Sequence, residues 1–281
     1  MYINTSINFT GSKYKLLEQI LPEMDYTKNY FVDLFAGSFV VGSNVVDKYD
    51  KILANDIIID LIGIHKEIIN NSSEFISKVK YLVVSKEDQD GFNKLREQYN
   101  KNNTPAGLYA LLLCSTNNMM RFNQKFQYNQ TFGKRTFNPS TEKKLKEYVE
   151  FITPYKNKIF FSAKHFSEIK ITKPSMIYID PPYSSIQDNN GNIINKKISE
   201  AGYNNYFKKE DDIKLYKYIL NLNEKKHSFM LSGLLEHDDK KSWILNKLIT
   251  DGFRYKELNY NYNKVSRKGD KKSKEAIIMN Y

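Results

Sequence analysis

Residues 176–185, near the middle of the 281-residue chain, decide the fold; they read Met-Ile-Tyr-Ile-Asp-Pro-Pro-Tyr-Ser-Ser. The apolar residues around Tyr178 predict a buried strand, and the segment from Asp180 predicts a rigid turn that ends it. The second proline keeps the first out of the helical region, and neither has a backbone N–H to donate. The turn therefore presents only acceptors, with the Tyr183 ring beside them. It could bind an amino group lying flat on that ring, although an ordinary strand-ending turn fits the same residues.

Two strand-like segments upstream are typical of a doubly wound α/β sheet. Residues 30–33 predict a strand, followed by a turn at Gly37 and a helix-like stretch through Val46. Residues 51–54 predict a second strand, which ends at Asn55-Asp56. An acid in this place can accept hydrogen bonds from ribose hydroxyls, or it can cap a helix over the apolar run that follows. The spacing is not GxGxxG, which argues against a dinucleotide.

The N-terminal segment has a loop that runs into a helix. Residues 8–13 read Asn-Phe-Thr-Gly-Ser-Lys and precede apolar residues at helical spacing. The free N–H groups of such a helix start, together with Lys13, could bind an anion such as a carboxylate. A plain N-cap is the alternative interpretation.

Residues 65–158 interrupt the α/β pattern. We expect helices there over residues 67–80, 86–100, 106–116 and 140–151. The α/β pattern then resumes, with a helix around residues 213–220 and strands at 158–162, 228–232, 255–259 and 275–280. The polar, asparagine-rich residues 184–206 predict a mobile loop over the site.

The net charge of +11 is concentrated in two windows. Residues 121–146 contain seven basic residues and one acid, and residues 261–274 contain six basic residues and one acid. These windows account for the whole excess, because the remaining chain balances 30 basic against 30 acidic residues. Two concentrated basic patches indicate a polyanion partner, with two solvated loops as the alternative.

Residues 120–135 interleave aromatic rings, amides and cations. Arginine and asparagine side chains are the usual bidentate readers of guanine and adenine edges, and aromatic rings can stack on bases. The composition therefore favours a DNA-reading hairpin over a surface hairpin without a special role.

Several classes of protein are excluded or disfavoured. One cysteine, Cys114, excludes a disulfide framework and a CxxC zinc site, and four scattered histidines argue against a metal centre. No apolar run reaches about 18 residues and the start lacks a signal peptide's apolar region, so we expect a soluble, cytoplasmic protein. Cys114 itself lies in an apolar, helix-like run, so we expect it to belong to the core.

Four elements stand in a particular order along the chain: Phe9–Lys13, Asp33–Gly37, Asn55-Asp56 and Asp180-Pro181-Pro182-Tyr183. In this order, with the insertion between the second-strand acid and the turn, the chain resembles the alpha-class, Dam-like DNA N6-adenine methyltransferases. The resemblance covers nearly the whole chain. The chain departs from that group at Leu34, where proline is usual, and at Phe126, where Dam has a hairpin glycine. The second departure leaves the recognition sequence open.

The resemblance implies an α/β, Rossmann-like methyltransferase fold, a mixed and mostly parallel sheet flanked by helices. Residues 1–64 and 159–281 would form a catalytic domain that binds S-adenosylmethionine. Residues 65–158 would form an inserted, mainly helical target-recognition domain that carries a β-hairpin.

The resemblance also implies site residues. Those predicted to bind S-adenosylmethionine are Phe9, Gly11, Lys13, Asp33, Phe35, Gly37, Asp56, His165, Phe166 and Asp180, with Asp56 on the ribose hydroxyls. A target adenine would be flipped out of the duplex to reach the turn of Asp180, Pro181, Pro182 and Tyr183. Tyr183 would stack on it, while Asp180 and the Pro181 carbonyl accept hydrogen bonds from its amino group. This geometry aims the nitrogen lone pair at the methyl carbon without prior removal of a proton.

The predicted partner is double-stranded DNA with a short adenine-bearing site, bound by a monomer. The predicted DNA contacts are Arg121, Asn123, Lys125, Tyr128, Asn129, Lys134, Arg135, Lys264, Arg267, Lys268, Lys271 and Lys272. One alternative is methylation of another exocyclic amine, on cytosine N4, RNA or protein. A second is a DNA-binding module without catalysis, against which the intact Lys13, Asp56 and Asp180 argue. The sequence leaves open whether the chain works with a restriction nuclease, as an orphan regulator or in a phage.

Overall fold

The computed structural model describes residues 2–9, 11–182, 185–198, 207–259 and 273–281. Its strands are β1 (Tyr30–Asp33), β2 (Lys51–Asn55), β3 (Ile159–Ser162), β4 (Ser175–Ile179), β5 (Ser185–Gln187), β6 (Ile193–Lys197), β7 (Ser228–His237), β8 (Lys240–Lys241), β9 (Arg254–Leu258) and β10 (Ser273–Met279). Its α-helices are α1 (Leu17–Ile20), α2 (Val40–Ser43), α3 (Ile59–Asn70), α4 (Ser72–Leu82), α5 (Gln89–Lys101), α6 (Pro105–Cys114), α7 (Pro139–Ile152), α8 (Lys209–Glu224) and α9 (Trp243–Thr250).

Among the described residues, one eight-stranded sheet has the order β3-β2-β1-β4-β7-β10-β9, and β8 pairs with β7. The strands from β3 to β7 are parallel to their neighbours, whereas β10 is antiparallel to both β7 and β9. This confirms the expected mixed, mostly parallel sheet. The strand order reverses at β1 and β4, and in open α/β sheets the ligand crevice lies beyond the carboxyl ends of the strands at such a point.

Both faces of the sheet are buried, which explains the continuous apolar runs of its central strands. Val32 and Ile177 face a cluster that includes residues of α8 and α9, such as Leu215 and Leu245. The neighbouring residues in these strands, including Tyr178, face a larger cluster that continues into α3, α4, α5 and α6. Helices therefore cover the sheet on both sides.

The strands predicted from the sequence are all present. One helix prediction is wrong, and one helix of the structure is not predicted by the sequence. The predicted helix over residues 67–80 is two helices, α3 and α4, because the backbone at Asn71 leaves the helical region with φ −137° and ψ 38°. The apolar run after Asp56 belongs to α3. Helix α9 was not predicted, although Ser242 caps it and Ile244, Leu245 and Leu248 form its buried face.

The inserted residues pack closely on the sheet. The predicted boundary at residue 65 falls inside α3, and α3 packs against α6. One buried cluster contains sheet residues such as Ile52, helix residues such as Leu111, and Tyr128 of the predicted hairpin. The division into a catalytic and an inserted domain therefore stays a prediction, with a shared core between the two parts.

Residues 184–206, predicted as a mobile loop, contain regular structure where they are described. Strands β5 and β6 form an antiparallel hairpin, and Ile186 pairs with Ser242 at the start of α9. The loop prediction is wrong for these residues. Residues 183, 184, 199–206 and 260–272 lie outside the described part. None of the described helices is both long and apolar enough to cross a membrane.

Candidate active site

The carboxyl ends of β1, β2 and β4 open into one cavity. Every described residue predicted to bind the methyl donor or to belong to the catalytic turn lines it: Phe9, Gly11, Lys13, Asp33, Phe35, Gly37, Asp56, His165, Phe166, Asp180, Pro181 and Pro182. These residues come from segments up to about 170 positions apart in the chain and meet because parallel strands end at the same edge. Tyr183, predicted to stack on the target base, lies outside the described residues.

Asp180 follows β4 directly, and two side chains hold its carboxylate. Lys13 Nζ lies 2.7 Å from Oδ1 and 2.9 Å from Oδ2. Ser232 Oγ donates to Oδ1 at 2.9 Å, and the Tyr178 hydroxyl lies 2.7 Å from Ser232 Oγ. Lys13 is 7% exposed and Ser232 is fully buried. The carboxylate is therefore fixed in orientation at the edge of the cavity. Its Oδ2 atom, which contacts Lys13 alone among the partners given above, retains a lone pair for a further donor.

Lys13 was predicted to bind an anion at the N-terminal loop. The structure brings it to the carboxylate of Asp180, 167 residues away, and its ammonium group also donates to the Gly11 carbonyl at 3.1 Å. Gly11 has φ 85°, in the left-handed region that favours glycine. An ion pair between Lys13 and Asp180 thus joins the N-terminal loop to the turn after β4.

Asp56 occupies the end of β2 and binds two backbone amides. Gly37 N donates to one carboxylate oxygen and Ile58 N to the other, each at 3.0 Å. Burial raises the pKa of Asp56, while the backbone hydrogen bonds oppose that shift. The side chain therefore ties the turn after β1 to Ile58, the residue just before α3, without capping the helix itself. Its binding of ribose hydroxyls stays a prediction.

The turn after β1 is tightly constrained. Gly37 has φ 49°, and a Cβ atom built there would lie 3.0 Å from the ring of Phe9. The Gly37 carbonyl lies 2.8 Å from His65 Nε2. Burial lowers the pKa of His65 to about 4, and Nδ1 has no partner among the described residues. The neutral ring therefore donates its Nε2 proton to the turn.

Asp33, at the end of β1, is a buried acid with a strongly raised pKa. Burial, followed by the nearby negative charge of Asp180, raises its pKa to about 8. The amide of Gly42 donates to Asp33 Oδ2 at 3.3 Å and opposes the shift. The carboxyl is thus mostly neutral at pH 7, and a nearby cation would favour its ionised form.

Aromatic side chains form another wall of the cavity. The Phe35 ring lies 5.4 Å from that of Phe166 and 6.0 Å from that of Phe207, between centroids. His165 stands beside Phe166, and its Nε2 lies 3.4 Å from Asp211 of α8. Such a wall is suited to a flat ring system.

Comparison with known proteins decides the family. The model of the D12 class N6 adenine-specific DNA methyltransferases matches residues 9–263. The chain belongs to this family. The type II methyltransferase M.FokI of Planomicrobium okeanokoites is 31% identical over 294 residues, which include 100% of this chain and 43% of the relative. The modification methylase StsI of Streptococcus sanguinis is also 31% identical, over 295 residues and with the same two shares. A DNA adenine methylase of Haemophilus influenzae is 23% identical over 64% of each protein.

The methyltransferase resemblance drawn from the motif order is therefore confirmed. The chain spans less than half the length of the two modification methylases. The family also agrees with the mixed sheet order and with the position of the Asp180 turn at the reversal of that order.

The predicted DNA-reading stretch forms a short hairpin. Asn123 N donates to Gln127 O at 2.9 Å, and Asn129 N donates to Arg121 O at 3.0 Å. The exposed side chains include Arg121, Lys125, Lys134 and Arg135, and Arg135 also binds Asn118 Oδ1 at 2.8 Å. Asn123 and Asn129 are half-buried, and Asn123 Oδ1 caps the hairpin turn.

Tyr128, also predicted to contact DNA, needs a correction. Its side chain is 1% exposed, and its hydroxyl lies 2.7 Å from Ser115 Oγ and donates to the Met119 carbonyl. The ring packs in the core beneath the hairpin, and its side chain is not accessible to DNA in this conformation. Lys264, Arg267, Lys268, Lys271 and Lys272 lie outside the described residues, so their DNA contacts stay predictions.

Sequence reasoning missed three residues of the site. Ser232 orients Asp180, His65 holds the Gly37 turn, and Phe207 completes the aromatic wall. Ser232 was placed in a predicted strand, and the polar residue in that apolar run was the available signal. His65 and Phe207 carried no local signal, because their partners come from distant segments.

Proposed function

We propose that this chain transfers a methyl group from S-adenosylmethionine to the N6 amino group of a flipped-out adenine in duplex DNA. The observation that carries the proposal is the Asp180 carboxylate, oriented by Lys13 and Ser232 at the edge of the cavity. An acceptor held in this way is suited to an exocyclic amino group. Family membership adds adenine N6 as the expected target.

The cavity fits S-adenosylmethionine on three grounds. Asp33, Asp56 and Asp180 line it and suit a ligand with cationic ammonium and sulfonium groups. Asp56 accepts hydrogen bonds from backbone amides, and a carboxylate has about four lone-pair sites, which leaves room for a ribose hydroxyl. The aromatic wall suits an adenine ring. When bound, the donor supplies an electrophilic methyl group on a positively charged sulfur.

The chain's own residues would act by binding and alignment. Asp180 and the Pro181 carbonyl accept hydrogen bonds from the amino group and turn its lone pair out of conjugation. Lys13 and Ser232 prevent the carboxylate from rotating away. Alignment of this kind accelerates transfer because the reacting atoms no longer have to find each other. Stacking by Tyr183 remains part of the proposal.

The DNA contacts remain part of the proposal as well. The hairpin would read bases, and the basic residues of 261–274 would bind phosphates. Flipping the adenine costs a few kcal/mol of stacking and pairing, which contacts to the duplex would offset. A monomeric state and a cytoplasmic location remain expectations.

The test incubates the purified chain with donor carrying a labelled methyl group and with unmethylated genomic DNA. Nuclease digestion then separates N6-methyladenine from N4-methylcytosine, and methylation-sensitive sequencing of the same DNA reports the site. We expect labelled N6-methyladenine at one short sequence. Label on N4-methylcytosine would support methylation of another exocyclic amine. Donor and DNA binding without any transfer would support a binding module.

A further inference from the structure

The start of α8 contacts both sides of the active site. We refer to residues 207–212 as the α8 start segment. Phe207 packs on Phe35 in the aromatic wall, and Asp211 approaches His165 at 3.4 Å. Asp212, the next residue, contacts the chain that leaves the Asp180 turn. One short segment thus touches both the donor cavity and Ser185, the first residue of β5.

Asp212 is a fully buried acid in the first turns of a helix. Its Oδ2 accepts a hydrogen bond from the Ser185 amide at 2.8 Å. The positive end of the helix dipole favours a negative charge at this position. The bond fixes the first residue of β5, where the chain becomes regular again after the turn.

Ser185 is close to the catalytic prolines along the chain. Three peptide links join Pro182 to Ser185, a reach of about 10–11 Å when fully extended. The far side of β5 is fixed too, because Ile186 pairs with Ser242 and packs with Leu234, which lines the cavity. The stretch of chain from the turn to β5 is therefore held at two places. Lys13 and Ser232 hold Asp180 at its start, and Asp212 holds Ser185 at its end.

We infer that Asp212 is a positioning residue for the catalytic turn, acting through the Ser185 amide. This inference rests on the proposed function and assigns a role to a buried acid that does not line the cavity. Without the Asp212 carboxylate, Ser185 would no longer be fixed, and the catalytic turn would be less well aligned for transfer. The residues proposed to bind S-adenosylmethionine, such as Asp56 and Gly37, would be unaffected.

The test compares Asp212→Ala and Asp212→Asn with wild type. The matched control is Glu210→Ala, which removes an exposed carboxylate from the same turn of α8. For Asp212→Ala we expect single-turnover methyl transfer to fall by on the order of 10²-fold, because small misplacements of reacting groups have costs of this size. Donor affinity, measured by calorimetry, should stay close to that of wild type. Asp212→Asn should be faster than Asp212→Ala because its side-chain oxygen can still accept the Ser185 N–H.

Hydrogen–deuterium exchange gives a readout that does not depend on activity. The Ser185 amide should exchange faster in Asp212→Ala than in wild type or Glu210→Ala. Asp212→Ser, whose side chain is too short to reach Ser185, replaces Asp212→Ala if that variant does not fold. Unchanged exchange at Ser185, or equal loss of rate and donor affinity, would overturn the inference. Absence of transfer by wild type would instead refute the proposed function, and the exchange result would still decide whether Asp212 holds Ser185.

Discussion

At the scale of single residues, the site depends on carboxylates at the ends of three neighbouring strands. Asp33, Asp56 and Asp180 end β1, β2 and β4, yet their surroundings differ. Two amides bind Asp56, a lysine and a serine bind Asp180, and Asp33 has one long amide bond. The three acids should therefore respond differently to substitution and to pH.

Asp56→Ala should weaken binding of S-adenosylmethionine while duplex binding without donor stays unchanged. Loss of a charged acceptor costs about 1.5–3 kcal/mol, roughly a 10- to 150-fold change in affinity. Calorimetry measures the donor and fluorescence anisotropy the duplex. Asp50→Ala is the matched control, because Asp50 is exposed just before the opposite end of β2. Unchanged donor affinity in Asp56→Ala would assign the ribose contact to another residue.

Asp33 should make the stability of the ligand-free protein depend on pH. Its folded-state pKa is about 8, well above the ordinary value, so the folded protein holds a proton that the unfolded chain releases above about pH 4. Its contribution to stability is thus complete below pH 4 and is lost as the pH rises to 8. Asn stays neutral, so the stability of Asp33→Asn relative to wild type should increase with pH by up to about 1.4 kcal/mol per unit. Urea unfolding from pH 5 to pH 8 measures this difference, and Asp90→Asn, at an exposed position, is the control. If the free energy of unfolding depends on pH in the same way in Asp33→Asn and in wild type, the prediction is refuted.

At the scale of elements, the two basic windows should have different parts in DNA binding. Arg121→Ala or Asn129→Ala in the hairpin should shift sequence preference, because these side chains belong to the predicted base reader. The double variant Lys271→Ala/Lys272→Ala, in the second window and outside the described residues, should weaken binding to all sequences alike. It should also flatten the salt dependence by roughly one unit of log–log slope for each phosphate that the variant no longer neutralises.

A cognate and a scrambled duplex, compared across a salt series, separate these effects. Lys94→Ala is the control, since Lys94 is an exposed lysine of α5 outside both windows. The opposite result would contradict the prediction: the lysine variant would no longer discriminate between the two duplexes, and the hairpin variants would bind both duplexes equally more weakly.

At the scale of the whole molecule, the sheet and most cavity residues could be predicted from the sequence. Each buried strand is a local apolar run, and the motif residues stand at strand ends, where the topology brings them together. Contacts between distant segments could not be predicted. Ser232 lies 52 residues from Asp180, and His65 lies 28 residues from Gly37. Tyr128 was misjudged for the same reason, because local composition does not show which face of a hairpin packs on the core.

The most direct test of the central claim is single-turnover methyl transfer by Asp180→Ala and Asp180→Asn, with donor and duplex affinities measured in parallel. Thermal unfolding of both variants serves as the control, because Asp180→Ala leaves the buried Lys13 without this carboxylate. Transfer to adenine should fall by on the order of 10²–10³-fold in Asp180→Ala, while the folded variant still binds duplex DNA. Transfer at close to the wild-type rate by folded Asp180→Ala would contradict the proposed role of Asp180 as the acceptor for the target amino group.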